Sequence, residues 1–259
     1  MRLIDSHCHL NYEGLADRQD EVLANARARG VAGFLNISTR QREWNDVIAV
    51  AEREPDVWAS VGVHPHEADA HPDLGAAALV EASAHPRVVA IGECGLDYYY
   101  DKSDRAAQRE RFGAHIEAAR ATGLPLIVHT RDAEKDTAEM LTRAVEEGGV
   151  TGVLHCFTGS AALAKTALGL GFYISISGIV TFKSAKDLQE TAKAIPADRL
   201  LVETDSPFLA PVPNRGKTCE PAFVADTAAF LAELRGEPLD RLAASTTANF
   251  FTLFGKAAG

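Results

Sequence analysis

His7 and His9 stand one residue apart at the end of a short apolar run, Leu3-Ile4-Asp5-Ser6-His7-Cys8-His9. On a strand, side chains alternate between faces, so both imidazoles project the same way and can grip one divalent cation. A lone His-x-His arises easily by chance. The weight comes from other apolar runs that end in Glu93, His129, His155 and Asp205. Four imidazoles and two carboxylates suit zinc, manganese, cobalt or nickel, and accept magnesium less comfortably. One catalytic metal needs three protein ligands plus water, so six candidates suggest two cations sharing a carboxylate. Glu93 is the natural bridge, with His7, His9 and Asp205 on one side and His129 and His155 on the other. A water held between two such cations loses its proton near neutral pH and becomes a nucleophile. Asp205 can take that proton or orient the nucleophile, so Asp205 and Glu93 are the catalytic candidates. Each residue alone reads as an ordinary hydrogen-bonded side chain; the set, at matching strand ends, does not.

The elements that must position these groups alternate regularly. A strand begins at residue 3, and further strands are expected over 32–37, 57–63, 87–92, 126–128, 151–154, 172–176 and 200–203. Helical patterns fill 17–29, 42–53, 73–84, 104–122, 132–147, 160–169 and 184–194, with closing helices over 221–234 and 239–253. Gly30, Pro55, Gly123 and Gly148-Gly149 punctuate them. Strands alternating with helices at this length predict an α/β fold of the (β/α)8 TIM-barrel type, one domain over residues 1–259. An open doubly wound sheet is the other candidate, weakened because no Gly-x-Gly-x-x-Gly follows the first strand. In a barrel the strand C-termini form one rim, which gathers ligands separated by nearly the whole chain.

Composition narrows the partners. A hydrophobic content of 46% supports a full core, and a net charge of −10 argues against coating nucleic acid through a broad basic surface. It leaves open a phosphodiester held briefly in a cleft whose sign bound cations reverse. No apolar run reaches membrane-spanning length and no signal-peptide pattern opens the chain, so a cytoplasmic protein is expected. Cys8, Cys94, Cys156 and Cys219 are far apart, without a Cys-x-x-Cys pair. The first three each adjoin a candidate ligand and so face away from it; they read as buried packing groups.

Longer segments surround the candidate ligands: Ile4-Asp5-Ser6-His7-Cys8-His9-Leu10, Val61-Gly62-Val63-His64-Pro65-His66, Ile91-Gly92-Glu93-Cys94-Gly95-Leu96-Asp97-Tyr98, Val128-His129-Thr130-Arg131-Asp132-Ala133, His155-Cys156-Phe157-Thr158-Gly159 and Glu203-Thr204-Asp205-Ser206-Pro207. Together they make the chain resemble the TatD family of metal-dependent hydrolases, the TatD-type deoxyribonucleases of the amidohydrolase superfamily. The resemblance implies a TIM-type barrel and a site of one or two divalent metals (Mg, Mn or Zn) on His7, His9, Glu93, His129, His155 and Asp205. It also implies hydrolysis of nucleic-acid phosphodiesters; the first functional reading is a phosphodiesterase acting on DNA, from an end or on single strands. The alternative is a hydrolase of a small phosphoester, a lactone or a cyclic amide on the same site; a third reading is a non-catalytic metal-binding barrel. Related amidohydrolases bridge their metals through a modified lysine on strand 4, where this chain has Glu93. The family loop after the last strand usually reads Arg-Gly-Lys-Arg-Asn; here it is Arg215-Gly216-Lys217-Thr218-Cys219, one basic side chain and one amide fewer.

Around this set lie candidate substrate contacts. Arg131, Arg215 and Lys217 can anchor phosphate oxygens, or serve only as surface cations. Tyr98, Tyr99 and Tyr100 offer rings for stacking on bases, with one of them expected under the barrel rim. His64 and His66 read as substrate contacts or supporting groups and are not counted as ligands. Glu203 can orient a ligand histidine. Free N–H groups near Thr158-Gly159-Ser160 can bind phosphate, although simple N-capping is the stronger reading. The expected partner is DNA or another phosphodiester, bound transiently by a monomer without membrane contact.

Overall fold

The computed structural model describes residues 2–258. Eight parallel strands, β1 (Leu3–Cys8), β2 (Val31–Asn36), β3 (Val57–Val61), β4 (Val88–Asp97), β5 (Leu126–Arg131), β6 (Gly152–Leu154), β7 (Tyr173–Ile176) and β8 (Leu200–Val202), pair in sequence order. The helices are α1 (Gln19–Ala28), α2 (Trp44–Arg53), α3 (Ala76–Ser83), α4 (Arg105–Thr122), α5 (Glu134–Gly148), α6 (Ala161–Gly169), α7 (Lys186–Ala194), α8 (Val224–Arg235) and α9 (Leu239–Leu253). The ring closes where Asp205 N–H donates to His7 O at 2.9 Å and His9 N–H to Ser206 O at 2.8 Å. The expected TIM-type barrel is therefore the fold.

Alternation along the strands sorts the core into two layers. Leu3, Phe34, Val57, Leu126 and Leu200 face the helices, while Ile4, Leu35, Trp58, Ile127 and Leu201 belong to an inner cluster. Phe250, Leu253 and Phe254, from α9 and the residue after it, complete that inner cluster and plug the N-terminal mouth. No helix among the described residues is long and apolar enough to cross a membrane.

Two irregularities turn ligands inward. The β1–β2 register shifts between Asp5 and Cys8. Without it, His7 would follow Leu3 and Asp5 toward the helices. The β4–β5 register pairs Gly92 with Ile127 and Cys94 with Val128, leaving Glu93 unpaired at a bulge. Gly92 is required there: its φ is +146°, and a Cβ would lie 2.7 Å from Ile127 O. β4 also runs five residues beyond the expected end at 92, to Asp97, with Gly95 opposite His129 and Asp97 opposite Arg131. Glycines at 92 and 95 make this stretch look like a loop, but β5 continues beside it and keeps it extended.

Candidate metal centre

At the C-terminal mouth Glu93 is the hub. Its Oε1 lies 2.8 Å from His155 Nε2, 3.3 Å from His64 Nε2 and 3.4 Å from His129 Nδ1. Its Oε2 lies 3.4 Å from His7 Nε2 and 3.9 Å from His9 Nε2. Asp205 faces the second group, with Oδ1 3.4 Å from His9 Nε2 and 3.6 Å from His7 Nε2. Asp205 reaches this position from a left-handed backbone, φ +59°. The His7 ring stacks on His155 with centroids 3.8 Å apart. All six candidate ligands thus converge, and His7 touches both halves of the cluster.

Hydrogen bonds on the far side of three of the four rings decide which nitrogen faces the centre; His7 Nδ1 is buried without a partner. His9 Nδ1 donates to Ile37 O at 3.3 Å, and His155 Nδ1 to Glu203 Oε1 at 3.3 Å. His129 Nε2 donates to Asp97 Oδ2 at 2.9 Å. Each bond keeps a proton on the outward nitrogen, so the neutral ring offers its inward lone pair, which a cation requires. His7 and His9 bring their Nε2 atoms within 3.3 Å of each other. Two imidazole nitrogens that close need a shared proton or cation, and two nitrogens on one tetrahedral zinc sit about 3.3 Å apart. The donor set therefore fits a divalent metal.

The electrostatics agree with a site built for positive charge. Burial pushes Glu93 up, but His155, His64 and His129 outweigh it and hold the carboxyl well below its usual range. Burial likewise opposes charge on His155, yet Glu93 and Glu203 raise it well above an ordinary imidazole. Burial raises Asp205 and the neighbouring imidazoles, His9 first, bring it back below normal. His64 goes the other way, down to about 4, because burial dominates there.

Residues 4–255 match the family described as "TatD related DNase". The chain is 46% identical over 257 residues to the "Uncharacterized metal-dependent hydrolase YcfH" of Escherichia coli K12, covering 98% of this chain and 96% of that protein. It is 36% identical over 259 residues to the "3'-5' ssDNA/RNA exonuclease TatD" of Klebsiella pneumoniae, covering 98% of each. The solved structure of YJJV, a TatD homologue from E. coli K12, superposes with a TM-score of 0.92 at 30% identity and 98% coverage of both chains. The chain belongs to the TatD family. It is a metal-dependent hydrolase.

In this TatD-family barrel the cleft above the cluster holds about 480 Å³, and Tyr12, Arg40, His66, Tyr100, Arg131 and Phe208 are among the residues that line it. Arg131 stacks on Tyr99 and Tyr100, its guanidinium carbon 4.2 and 5.1 Å from their centroids. Tyr98 is not a cleft residue: its hydroxyl donates to Asp136 Oδ2 at 2.6 Å and Arg105 covers its ring. It is the ring expected beneath the rim, and Tyr100 takes the place assigned to it. Arg215 and Lys217 also lie off the cleft wall. Arg215 stacks on Phe182, 4.1 Å from the centroid, and Lys217 Nζ donates to Asn214 Oδ1 at 3.4 Å. Glu203 is buried and accepts from His155 and from Cys156 N–H, the latter at 2.8 Å, as expected of an orienting carboxylate. Ser160 caps α6, and Glu134 Oε1 accepts its N–H at 2.6 Å, so a carboxylate fills the suggested phosphate position. Cys156 is only half-buried and lines the cleft, with φ +41°; a left-handed residue breaks the alternation that would have hidden it.

Asp97, which is not among the candidates above, is central. It is fully buried, and its Oδ2 accepts from both His129 Nε2 and His66 Nε2 at 2.9 Å. Its Oδ1 accepts from the N–H groups of Tyr99 and Tyr100 at 3.1 and 2.9 Å. Burial pushes this carboxyl up, and the two histidines with the Tyr100 N–H pull it far below normal. The available signal was period two: Glu93, Gly95 and Asp97 share a face once the strand is extended.

Proposed function

We propose that this hydrolase cleaves DNA phosphodiester bonds, from an end or on single strands, at a centre of two divalent cations. The observation that carries this is the division of Glu93: one carboxylate oxygen turned to His129 and His155, the other to His7 and His9, with Asp205 opposite. His7, His9, Asp205 and Glu93 Oε2 would hold one cation; His129, His155 and Glu93 Oε1 would hold the other. The imidazole-rich donors favour zinc or manganese over magnesium. When bound, such a pair lowers the pKa of water and offsets the charge of a phosphoryl group under attack.

The chain supplies the rest. Asp205 reaches the cluster from the cleft side and is the carboxylate placed to take a proton from attacking water. Asp97 and Glu203 hold His129 and His155 in the tautomers that keep their inward nitrogens free. Arg131 and Tyr100 offer one cation and one exposed ring at the rim, suited to a phosphate and the base beside it. The K. pneumoniae relative is named as an exonuclease on single-stranded DNA and RNA, which supports a strand end in this cleft.

The test is release of nucleotides from single-stranded DNA by the purified protein with manganese or magnesium. Chelator and the His155→Ala substitution should each abolish it. Turnover of bis-p-nitrophenyl phosphate without release from any polynucleotide would replace DNA by a small phosphoester as the substrate.

A further inference from the structure

Proximity makes His64 look like a seventh ligand. Its Nε2, Glu93 Oε1 and His129 Nδ1 lie within 4.8 Å of one another, close enough for one ion. The hydrogen bonding around the ring contradicts that. His64 is the N-cap of a 3-10 turn, Pro65–Ala70, and its Nδ1 accepts the backbone N–H of His66 at 3.1 Å. Pro65 in the first position of the turn fixes that geometry. A ring nitrogen that accepts a hydrogen bond has no proton, so the ring's proton sits on Nε2, the atom that faces Glu93. His9 and His155 show the reverse arrangement, with the proton turned outward to Ile37 O and Glu203. His129 carries its proton on Nε2, as His64 does, but points that atom away from the centre, at Asp97.

We propose that His64 is a hydrogen-bond donor to a phosphoryl oxygen of the substrate and not a metal ligand, a reading that rests on the phosphodiesterase function above. Once a cation displaces any inward proton, His9, His129 and His155 present a lone pair to the centre, because their outward nitrogens keep a proton on an acceptor; His64, whose other nitrogen is itself the acceptor, keeps its N–H at the same centre, from the cleft wall. A fixed donor beside two cations adds to the stabilisation of charge that grows on a non-bridging oxygen, and it needs no reorganisation when the reaction occurs. His66 extends the pattern: its Nε2 donates to Asp97, leaving Nδ1 an acceptor.

Three measurements test this. Long-range proton–nitrogen NMR of 15N-histidine-labelled protein should show His64 protonated on Nε2, before and after zinc is added. Metal analysis should find His64→Ala and His64→Gln binding as many zinc equivalents as the unaltered protein, while His129→Ala loses one. With zinc bound, inorganic phosphate should bind about tenfold more weakly to His64→Ala. Its kcat on bis-p-nitrophenyl phosphate should fall about 10²- to 10³-fold, the usual cost of one lost donor of this kind. Gln, whose amide N–H reaches close to the position of Nε2, should recover much of both. A proton on His64 Nδ1, or a zinc equivalent lost in both variants, would overturn the proposal. If the unaltered protein cleaves no phosphodiester, the proposed function fails, while phosphate affinity and tautomer still decide whether His64 is a donor or a ligand.

Discussion

The two mouths of the barrel are built from the same strands to opposite purposes. At the N-terminal mouth, the Phe250 ring packs with its centroid 5.4 Å from that of Trp58 and 4.8 Å from that of Phe254, within the inner hydrophobic cluster. At the C-terminal mouth, His7, His9, Glu93, Asp97, His155 and Glu203 are as deeply buried, and every one is titratable. Burying ionisable groups costs free energy unless each finds a partner or a metal. Burying aromatic rings returns it. This fold thus separates stability from chemistry along its axis, one end offsetting what the other requires.

Chemistry at the C-terminal mouth should depend most steeply on the hub. Glu93→Gln should lower kcat by about 10³-fold or more, because an amide cannot turn two anionic oxygens to two cations. Metal analysis should show fewer bound equivalents, and circular dichroism an intact barrel. A variant retaining a tenth of the activity would show that Glu93 does not bridge. The opposite end should respond in the opposite currency. Phe250→Ala should cost about 3–5 kcal/mol by urea unfolding, with kcat per folded molecule unchanged. A fall in kcat at constant folded fraction would mean that the floor transmits strain to the site.

Within the C-terminal mouth the residues differ in how plainly the sequence marks them. His7, His9, His129, His155 and Asp205 were legible because each closes an apolar run, and a barrel places such ends together. Asp97 was not, because Gly92 and Gly95 mimic a loop and only pairing with β5 reveals a strand. The inward turn of His7 depends on a register shift against β2, which no local pattern in residues 3–9 records. Arg215 and Lys217 were misplaced for a similar reason. Asn214 donates to Asp226 Oδ2 at 2.9 Å and Arg215 stacks on Phe182, both tertiary contacts that carry this loop away from the cleft. Tyr98 and Tyr100 are indistinguishable by type; Asp136, 38 residues farther along the chain, separates them.

A buried imidazole with no need of a metal sharpens the contrast. His115, on α4, is fully buried, with Nδ1 donating to Arg111 O at 2.7 Å and Nε2 accepting from Val63 N–H at 2.9 Å. Burial lowers it to about 4. The unfolded chain binds this proton near 6.5 and the native protein refuses it until about 4, so stability falls as pH drops through that window. The loss attributable to His115 should be on the order of 3 kcal/mol. His115→Gln, which can still accept from Val63, should flatten that part of the stability-against-pH curve measured by urea unfolding. An unchanged slope would show that His115 does not contribute to the acid sensitivity.

The smallest expected effect lies at the rim, where neither burial nor metal dominates. Tyr100 is half exposed, and Arg131 stacks on it without a carboxylate partner among the described residues. Base stacking on one ring is worth about 1–3 kcal/mol. Tyr100→Ala should therefore raise KM for an oligonucleotide by about tenfold while leaving KM for bis-p-nitrophenyl phosphate, which has no base to stack, nearly unchanged. Arg131→Ala should raise KM for the oligonucleotide and make it less sensitive to salt, since one cation facing the backbone is lost. Equal changes on both substrates in Tyr100→Ala would mean that the ring supports the cluster through His66, which it meets edge-on with centroids 5.4 Å apart and which donates to Asp97. The chemical and binding roles of this mouth would then not be separable residue by residue.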